Sequence, residues 1–396
     1  MNLFTIAEQS LNRTGEKTLL HFQSGPWTNA RLLSEAERLA RVLRAKGLRP
    51  GDHVFLLLAN GPEVFLSFLA LARMGCVGVP AGLKLTVREL SDMALDSESK
   101  WILSAGDLMK KAGRCKSAVD LNVVDVKDIL TGSDRGSPLP DDGGGRPEDL
   151  AYIIYTSGTT GESKGVMLTH HNIMTEGRGV AGAFTVPGEE PTDLTQLLVL
   201  PLSHSYGLMV MGMTYFMGNR TVVLPRYETE AVLQAIRRHE VKLMWAVPTM
   251  YALMLAHPEA REHLKSVIHW DSGGAPLPFA HLKAIEERFG GTVTDGYGCT
   301  EASSCVTTQS RKQYSPPGSQ GFLIKGARMD VVDETGRPVP DGEPGEFLIS
   351  GDTVMRGYWK KPRMTERVLK DGAYLSGDVG IRHPDGYYVF WKEKMT

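Results

Sequence analysis

The spacing of hydrophobic residues along the N-terminal part of the chain predicts helices that alternate with short strands. Downstream of Thr28, a residue suited to cap a helix, apolar side chains recur three or four positions apart on one helical face. They are Leu32, Ala36, Leu39, Ala40 and Leu43. Unbroken apolar runs follow as HVFLLLA, CVGVP, WILS and LNVVDV, with a helical pattern at residues 63–74. Strand, helix and strand in this order indicate a parallel sheet covered by helices.

The same rhythm returns later in the chain and changes near residue 311. QLLVLP, RTVVLP, KLMWAV and VIHWDS have the pattern of buried strands, and residues 228–239 and 279–289 have that of helices. The later runs ARMDVVD, GEFLIS and GYYVFW are separated by turn-rich stretches such as HPDG, which is typical of a small antiparallel unit. We therefore predict an α/β fold with two parallel-rich α/β subdomains and a small C-terminal β-barrel-like subdomain. Their predicted bounds are residues 1–185, 186–310 and 311–390.

Composition narrows the range of functions. The chain has 396 residues, of which 42% are hydrophobic and 23% charged, and its net charge is -2. This is the balance of an ordinary globular protein, and it provides no basic surface for nucleic acid or an anionic membrane. The four cysteines form no CxxC pair, which favours reduced thiols in a cytoplasmic protein over a disulfide framework or a zinc site. No signal peptide is predicted.

One apolar stretch, residues 198–218, is long enough to cross a membrane. Pro201, Ser203, His204 and Ser205 interrupt it. We therefore predict a buried strand, a turn and a helix there rather than a membrane span. Residues 131–149, which are rich in Gly, Pro and Asp, are expected to form a flexible loop.

The stretch TSGTTGESKG begins at Thr156, directly after the strand pattern AYIIY. Glycines let backbone N–H groups converge on an anion, hydroxyls add donors, and Lys164 adds a positive charge. The combination indicates a phosphate-binding loop, and VMLTHHNIM behind it can start a helix. The Walker pattern does not fit, because Glu162 and Ser163 separate Gly161 from the lysine. A surface turn with solvated hydroxyls is the alternative.

This stretch resembles the signature loop of the adenylate-forming superfamily, which includes acyl- and aryl-CoA synthetases, luciferases and the adenylation domains of peptide synthetases. Further blocks match that family in the family's order: LPLSHSYG, DSGGAPLP, DGYGCTE, GYWKKPRMTERVLKDGAYLSGDVG and PDGYYVF. Together the blocks cover most of the chain. One departure is Ser163, where the family usually has proline, and this change removes no hydrogen-bond donor.

The resemblance implies that a carboxylate attacks the α-phosphate of ATP, that pyrophosphate leaves, and that a thiol then attacks the acyl-adenylate. Because both partners of the first step are anions, the site must neutralise charge and align the attack. By resemblance, Glu301 helps to bind Mg²⁺, Thr300 contacts the α-phosphate, and Asp378 accepts from both ribose hydroxyls. The residues implied to hold the β- and γ-phosphates are Thr156, Ser157, Gly158, Thr159, Thr160, Gly161 and Lys164.

The adenine, on the same resemblance, lies between a flat backbone wall and an aromatic ring. The wall consists of Gly273, Gly274 and Ala275. Tyr297 covers the other face, and Asp295 accepts from the adenine amino group. In the block DGYGCTE, the nucleotide contacts implied by the resemblance are Asp295, Gly296, Tyr297, Gly298 and Thr300.

The class of acid is predicted from the block LPLSHSYG. Peptide-synthetase domains have an aspartate near this block that pairs with the ammonium of an amino acid. Here Ser203, His204 and Ser205 offer no carboxylate, and a buried unpaired ammonium is costly, so we predict a fatty or aryl acid. His204 resembles the histidine that borders the acyl pocket of acyl- and aryl-CoA ligases. The helical pattern LMVMGMTYFMG is either a wall of an acyl channel or plain core.

The predicted activity is that of an acid–thiol ligase of the acyl-CoA synthetase type, with CoA or the phosphopantetheine of a carrier protein as the thiol. An amino-acid adenylation domain and a non-catalytic binder of nucleotide or acyl groups are the alternatives. Family members continue through a hinge into a small domain with a catalytic lysine. This sequence ends in FWKEKMT, so residues 391–396 are predicted to start the hinge and the small domain is expected to be absent. Glu393 follows Lys392 where the family has arginine.

Overall fold

The computed structural model describes residues 1–133, 136–139, 144–157, 163–186, 188 and 194–391, and it describes Ser157 without its side chain. The strands are β1 (Thr18–Phe22), β2 (Gly25–Thr28), β3 (His53–Leu57), β4 (Val77–Pro80), β5 (Trp101–Ser104), β6 (Asn122–Asp125), β7 (Leu150–Ser157), β8 (Ser163–Thr169), β9 (Gln196–Leu198), β10 (Thr221–Val223), β11 (Leu243–Ala246), β12 (His269–Ser272), β13 (Thr292–Tyr297), β14 (Thr307–Thr308), β15 (Phe322–Leu323), β16 (Ala327–Val332), β17 (Gly345–Gly351), β18 (Gly357–Tyr358), β19 (Leu369–Lys370), β20 (Ala373–Arg382) and β21 (Tyr388–Phe390). The helices are α1 (Leu3–Thr14), α2 (Asn29–Ala45), α3 (Pro62–Met74), α4 (Val87–Asp96), α5 (Leu108–Ala118), α6 (Val126–Thr131), α7 (His170–Phe184), α8 (Ser205–Met217), α9 (Thr229–His239), α10 (Pro248–Ala256), α11 (Ala260–His263), α12 (Phe279–Phe289) and α13 (Pro362–Val368).

The first sheet has seven strands in the order β18-β8-β7-β4-β3-β5-β6. β7, β4, β3, β5 and β6 run parallel, whereas β8 and β18 are antiparallel additions at one edge. Every residue of β4 and β5 is buried. Because strands of a parallel sheet are covered on both faces, they appear in sequence as continuous apolar runs.

The second sheet has nine strands in the order β15-β14-β13-β12-β11-β9-β10-β1-β2. The run from β1 to β13 through β10, β9, β11 and β12 is parallel, and the outer strands are antiparallel. Strands β1 and β2, from the start of the chain, thus belong to the same sheet as residues 196–308. The predicted subdomain boundaries at residues 185 and 310 remain a prediction.

The C-terminal part forms a third, antiparallel sheet in the order β16-β17-β20-β19, with β21 paired to β20. The predicted fold class, two parallel-rich units followed by a small antiparallel one, is confirmed. Two predicted local features are also present. Thr28 accepts a hydrogen bond from the backbone N–H of Arg31 and caps α2, and residues 198–218 contain the end of β9, a turn and the buried α8. Within the described residues, none of the helices combines the length and the apolarity that a membrane crossing requires.

The helix start predicted in VMLTHHNIM is also present, although it is preceded by strand, because residues 166–168 continue β8. Val166 and Leu168 alternate into the core beside β7, which favours a strand there. Helix α7 begins only at His170, where Thr169 caps it by accepting from the backbone N–H of Asn172 at 3.2 Å. The glycine-rich loop therefore joins two antiparallel strands. Residues 134, 135 and 140–143 of the expected loop at 131–149, and the residues from Lys392 onward, lie outside the described residues.

Candidate functional site

A cavity of about 640 Å³ opens where the three sheets meet, and the predicted site residues line it. They come from β7 and β8, from the turn after β12, from β13 and the turn after it, from the start of α8 and from β20. The lining residues predicted from sequence are Thr156, Lys164, His204, Gly273, Gly274, Ala275, Asp295, Gly296, Tyr297, Gly298, Thr300, Glu301 and Asp378. Gly158, Thr159, Thr160 and Gly161 lie outside the described residues, and Ser157 is described only by its place in β7.

The predicted phosphate end of the cavity is built on the β7–β8 hairpin. Thr156 and Lys164 are directly opposed across this hairpin, so their side chains flank the loop between them. The ammonium of Lys164 lies 5.2 Å from the centre of the Tyr358 ring, within range of a cation–π interaction. The Tyr358 hydroxyl donates to Glu301 Oε1 at 2.8 Å. The Lys164 ammonium and the Glu301 carboxylate thus lie at the same end of the cavity as the β7–β8 hairpin.

The turn after β13 carries Thr300 and Glu301 and depends on Gly298. A Cβ atom at Gly298 would lie 1.9 Å from the carbonyl oxygen of Ser304, so only glycine permits this close approach. A short 3₁₀ helix, Thr300–Ala302, follows. The hydroxyl of Thr300 lies 3.3 Å from that of Ser205 at the start of α8. The tight turn therefore places Thr300 where two elements converge on the cavity.

Tyr297 and Asp378 connect the nine-stranded sheet to the C-terminal sheet. The Tyr297 hydroxyl donates to Asp378 Oδ2 at 2.9 Å. The Tyr297 ring stacks on Phe390, with centroids 6.0 Å apart, and meets Phe347 edge-on at 5.0 Å. These contacts fix the orientation of both side chains. Asp378 remains partly exposed to the cavity, with one carboxylate oxygen held in place.

The backbone wall of Gly273, Gly274 and Ala275 directly follows β12. Gly274 has φ +78°, a conformation that favours glycine, and a Cβ at Gly273 would lie 3.1 Å from the Tyr206 ring. The buried hydroxyl of Ser272, which lines the cavity, has no hydrogen-bond partner among the described residues. Buried polar groups are usually paired, so this hydroxyl is suited to a polar ligand. Because the wall is bare backbone, a flat ring can approach it closely.

Two buried carboxylates, Asp271 and Asp295, also line the cavity. Asp271 accepts from the hydroxyls of Tyr206 at 2.7 Å and Thr294 at 3.0 Å. Asp295 accepts from the amide of Gln320 at 3.2 Å and from the backbone N–H of Gly296 at 3.0 Å. Burial raises the pKa of each carboxyl to about 7. Asp271 was part of a recognised sequence block without a predicted role, and its place after a buried strand was the available signal.

Apolar residues, among them an aromatic pair, line the other half of the cavity. Phe184 and Trp245 are both fully buried, with ring centroids 4.9 Å apart. Val180 and Met209 line the same half, and the Trp245 indole N–H donates to Gln196 Oε1 at 3.0 Å, which fixes the ring. His204 is exposed at the start of α8 and caps it by accepting from the backbone N–H of Tyr206.

Helix α8 resolves the question of whether its Met-rich pattern is channel wall or core. Its first part lines the cavity through Ser205, Tyr206 and Met209, and the remainder is buried in the core. On the neighbouring helix α7, Glu176 is buried and accepts from the backbone N–H of Cys305 at 2.7 Å. Burial raises the pKa of this carboxyl to about 8. No pattern along the chain indicated this internal acid beneath a cavity-lining residue.

Comparison with known proteins gives the class of this site. The family of AMP-binding enzymes matches residues 7–359. A feruloyl-CoA synthase of Amycolatopsis is 34% identical over 91% of this chain and 72% of its own length. A long-chain-fatty-acid–CoA ligase of Bacillus subtilis is 30% identical over 99% of this chain and 76% of its own length. The solved o-succinylbenzoate CoA synthetase of Bacillus subtilis, in complex with its acyl-adenylate intermediate, is 26% identical with a TM-score of 0.86, covering 98% of this chain and 78% of that one.

The chain belongs to the AMP-binding enzyme family. Within that family it is an acid–thiol ligase of the acyl-CoA synthetase type, as predicted. Its reaction is the ATP-dependent activation of a carboxylic acid to an acyl-adenylate, followed by transfer of the acyl group to a thiol.

Proposed function

We propose that the described cavity is the adenylation site of this ligase and that its acid is a compact aryl acid, activated for transfer to CoA. The observation that carries the proposal is the convergence of separate sequence segments on one cavity with a charged end and an apolar end. ATP occupies the charged end and the backbone wall. The acid occupies the apolar end, so that its carboxylate meets the α-phosphate beside Thr300.

The charged end suits a reaction between two anions. Lys164 supplies positive charge at the outer phosphates, and the hydroxyls of Thr156 and Thr300 supply donors toward the phosphate chain. Preorganised donors stabilise the charge that develops on the phosphate oxygens without reorganising during the reaction. Holding both reactants in fixed halves of one cavity aligns the attack. The chain's own residues thus bind both reactants, orient them for the attack and neutralise the phosphate charge.

We place the adenosine of ATP against the backbone wall that follows β12. Its adenine lies against the backbone of Gly273, Gly274 and Ala275, with Tyr297 on the other side. Asp378, held by the Tyr297 hydroxyl, has an oxygen left for the ribose. Each carboxylate oxygen of Asp295 already accepts one hydrogen bond and has a second lone pair for the adenine amino group.

The residues present fit one Mg²⁺ ion that accompanies the phosphates. The described residues contain no cluster of three or more His, Cys, Asp or Glu side chains able to hold a metal. Mg²⁺ usually needs no such cage, because it keeps several waters and binds phosphate oxygens together with one or two carboxylates. Glu301, beside Lys164 and fixed by Tyr358, is the carboxylate we assign to this role. When bound, the ion neutralises phosphate charge.

The apolar end favours a compact aryl acid over a long alkyl chain. Phe184 and Trp245 line it with buried rings that pack against each other, a surface suited to packing against another aromatic ring. An amino acid fits less well. Burial raises the pKa of the Asp271 carboxyl, which already accepts from the hydroxyls of Tyr206 and Thr294, so it pairs poorly with an ammonium.

The proposal can be tested with a panel of acids in ATP–pyrophosphate exchange. We expect benzoic and cinnamic acids to support exchange better than palmitic acid, and proteinogenic amino acids to support none. Met209→Ala enlarges the apolar end and should shift the preference toward longer acids. Met213→Ala, in the same helix but outside the cavity, is the matched control. Best exchange with palmitic acid or with an amino acid would overturn the assignment of the acid.

A further inference from the structure

Tyr358 contributes to the charged end of the cavity although it comes from a different part of the chain. It lies in the two-residue strand β18, where it pairs with Val166 of β8. Its backbone is fixed on both sides: its own N–H donates to Thr365 Oγ1 at 2.9 Å, and the N–H of Trp359 donates to the carbonyl of Gly165 at 2.7 Å. The side chain is 3% exposed, so its position is set by packing.

This one side chain contacts two oppositely charged groups. Its hydroxyl donates to Glu301 Oε1 at 2.8 Å, and its ring faces the Lys164 ammonium at 5.2 Å. Burial and the neighbouring Glu301 carboxylate raise the pKa of the Tyr358 phenol, so it stays a hydrogen-bond donor to that carboxylate. No ion pair within 4 Å joins Lys164 to Glu301; both residues belong to the described chain, and each is in contact with Tyr358 instead.

A free ammonium and a free carboxylate in one partly enclosed cavity attract each other strongly. If they paired, neither would be directed at its ligand. We infer that Tyr358 is a positioning residue that holds Lys164 and Glu301 apart, the lysine by its ring and the glutamate by its hydroxyl, so that one stays directed at phosphate and the other at the metal ion of Mg·ATP. This inference rests on the proposed function, since it concerns how the same site is prepared for its nucleotide.

Binding measurements on the full 396-residue chain separate the two contacts. In calorimetric titrations with ATP, Tyr358→Phe keeps the ring and removes the hydroxyl, so affinity in EDTA should be unchanged. At saturating ATP, the Mg²⁺ concentration for half-saturation should rise about tenfold, the lower range for loss of a hydrogen bond to a charged group. Tyr358→Leu removes ring and hydroxyl together, so ATP affinity should also fall in EDTA, because Lys164 is then free to pair with Glu301.

Two controls keep the outcome specific. Tyr388→Phe removes another buried tyrosine hydroxyl, one that donates to the carbonyl of Met329 outside the cavity, and should change neither titration. In the background of Glu301→Gln, Tyr358→Phe should cause no further change in Mg²⁺ dependence. Restored ATP affinity in EDTA for Tyr358→Leu combined with Glu301→Gln would support the spacing role directly.

The inference is overturned if Tyr358→Phe has the Mg²⁺ dependence of the parent chain, or if it weakens ATP equally with and without Mg²⁺. It is also overturned if the effects of Tyr358→Phe and Glu301→Gln are additive. If the parent chain itself binds no ATP, the proposed function fails, and this inference fails with it.

Discussion

The four carboxylates that line the cavity form two pairs with different surroundings. Asp271 and Asp295, the buried pair, are 6% and 5% exposed, and each accepts two hydrogen bonds from groups of the protein. Glu301 and Asp378, the rim pair, are partly exposed, and each accepts from one tyrosine hydroxyl, of Tyr358 and Tyr297 respectively. The buried pair lies in the parallel strands β12 and β13. In the rim pair, Glu301 lies in a 3₁₀ helix and Asp378 lies in β20 of the antiparallel sheet.

The contrast indicates a division of labour. A buried carboxylate with its oxygens engaged stabilises the groups around it, and removing it leaves hydroxyl donors unpaired. A partly exposed carboxylate with unused lone pairs can bind a ligand at little cost to the fold. We therefore expect changes at Asp271 to lower stability, and changes at Lys164, Glu301 and Asp378 to lower binding and rate without affecting stability, whereas changes at Asp295, which we also assign to the adenine, should lower both.

The largest effect is expected from Lys164, at the charged end of the cavity. Lys164→Ala removes positive charge from the phosphate end and should slow ATP–pyrophosphate exchange about 10² to 10³-fold, the usual result of losing one preorganised donor. It should weaken ATP more than AMP in calorimetry, because the outer phosphates are absent from AMP. The free energy of unfolding should change by less than about 0.5 kcal/mol. Lys265→Ala, at an exposed lysine paired with Glu262, should change nothing. Equal losses for ATP and AMP contradict the phosphate assignment.

The next effect concerns the ribose. Asp378→Ala should weaken ATP and AMP to the same extent, roughly 10 to 100-fold, because hydrogen bonds to a charged group contribute about 1.5–3 kcal/mol and both nucleotides carry the ribose. Calorimetry with each nucleotide measures the two losses. Asp385→Ala, at an exposed aspartate near the same sheet, is the control. A loss for ATP alone would place Asp378 at the phosphates rather than at the ribose.

A change at the buried pair should act on stability. Asp271→Ala leaves the hydroxyls of Tyr206 and Thr294 without their acceptor, and should lower the free energy of unfolding by about 1–3 kcal/mol. Urea unfolding followed by tryptophan fluorescence measures the loss. ATP affinity of the folded variant in EDTA should stay within about twofold of the parent, since 0.4 kcal/mol is a factor of two. A stable variant with strongly reduced ATP affinity would remove the distinction between the two pairs.

The smallest effect is the pH dependence carried by Asp271. Its carboxyl has a pKa of about 7 in the folded chain, against 3.8 for an exposed aspartate. Between these values the folded chain retains a proton that the unfolded chain has released, so this group's contribution to stability is full below pH 3.8 and is lost as pH rises through about 7.

Asp271→Asn has no such proton. Relative to this variant, the parent chain should therefore lose stability between about pH 6 and about pH 8. We expect a difference on the order of 1 kcal/mol, the equivalent of one pKa unit. Urea unfolding of both proteins at the two pH values measures it, and other titrating groups cancel in the comparison. A parent chain that gains stability relative to Asp271→Asn over this range would contradict the raised pKa.

Most of the longer elements and the family could be predicted from the sequence alone. Apolar runs marked the parallel strands, because strands buried on both faces need apolar residues throughout. The ordered blocks around Thr156, His204, Gly273, Thr300 and Asp378 identified the class of chemistry, since each block keeps the residue types its local task requires. The resemblance also indicated that these blocks work together, although their arrangement in space could not be derived from spacing along the chain.

The tertiary structure decided which side chains meet. Tyr358 reaches Lys164 and Glu301 only because a two-residue strand pairs with β8, and so short a strand has no sequence pattern of its own. Asp271 becomes a cavity residue because Tyr206 and Thr294 converge on it from α8 and β13. The helix predicted to start within VMLTHHNIM begins at His170 rather than earlier, because pairing with β7 extends β8 to Thr169. Local patterns fix local structure, whereas contacts between distant segments depend on register and packing that no single segment encodes.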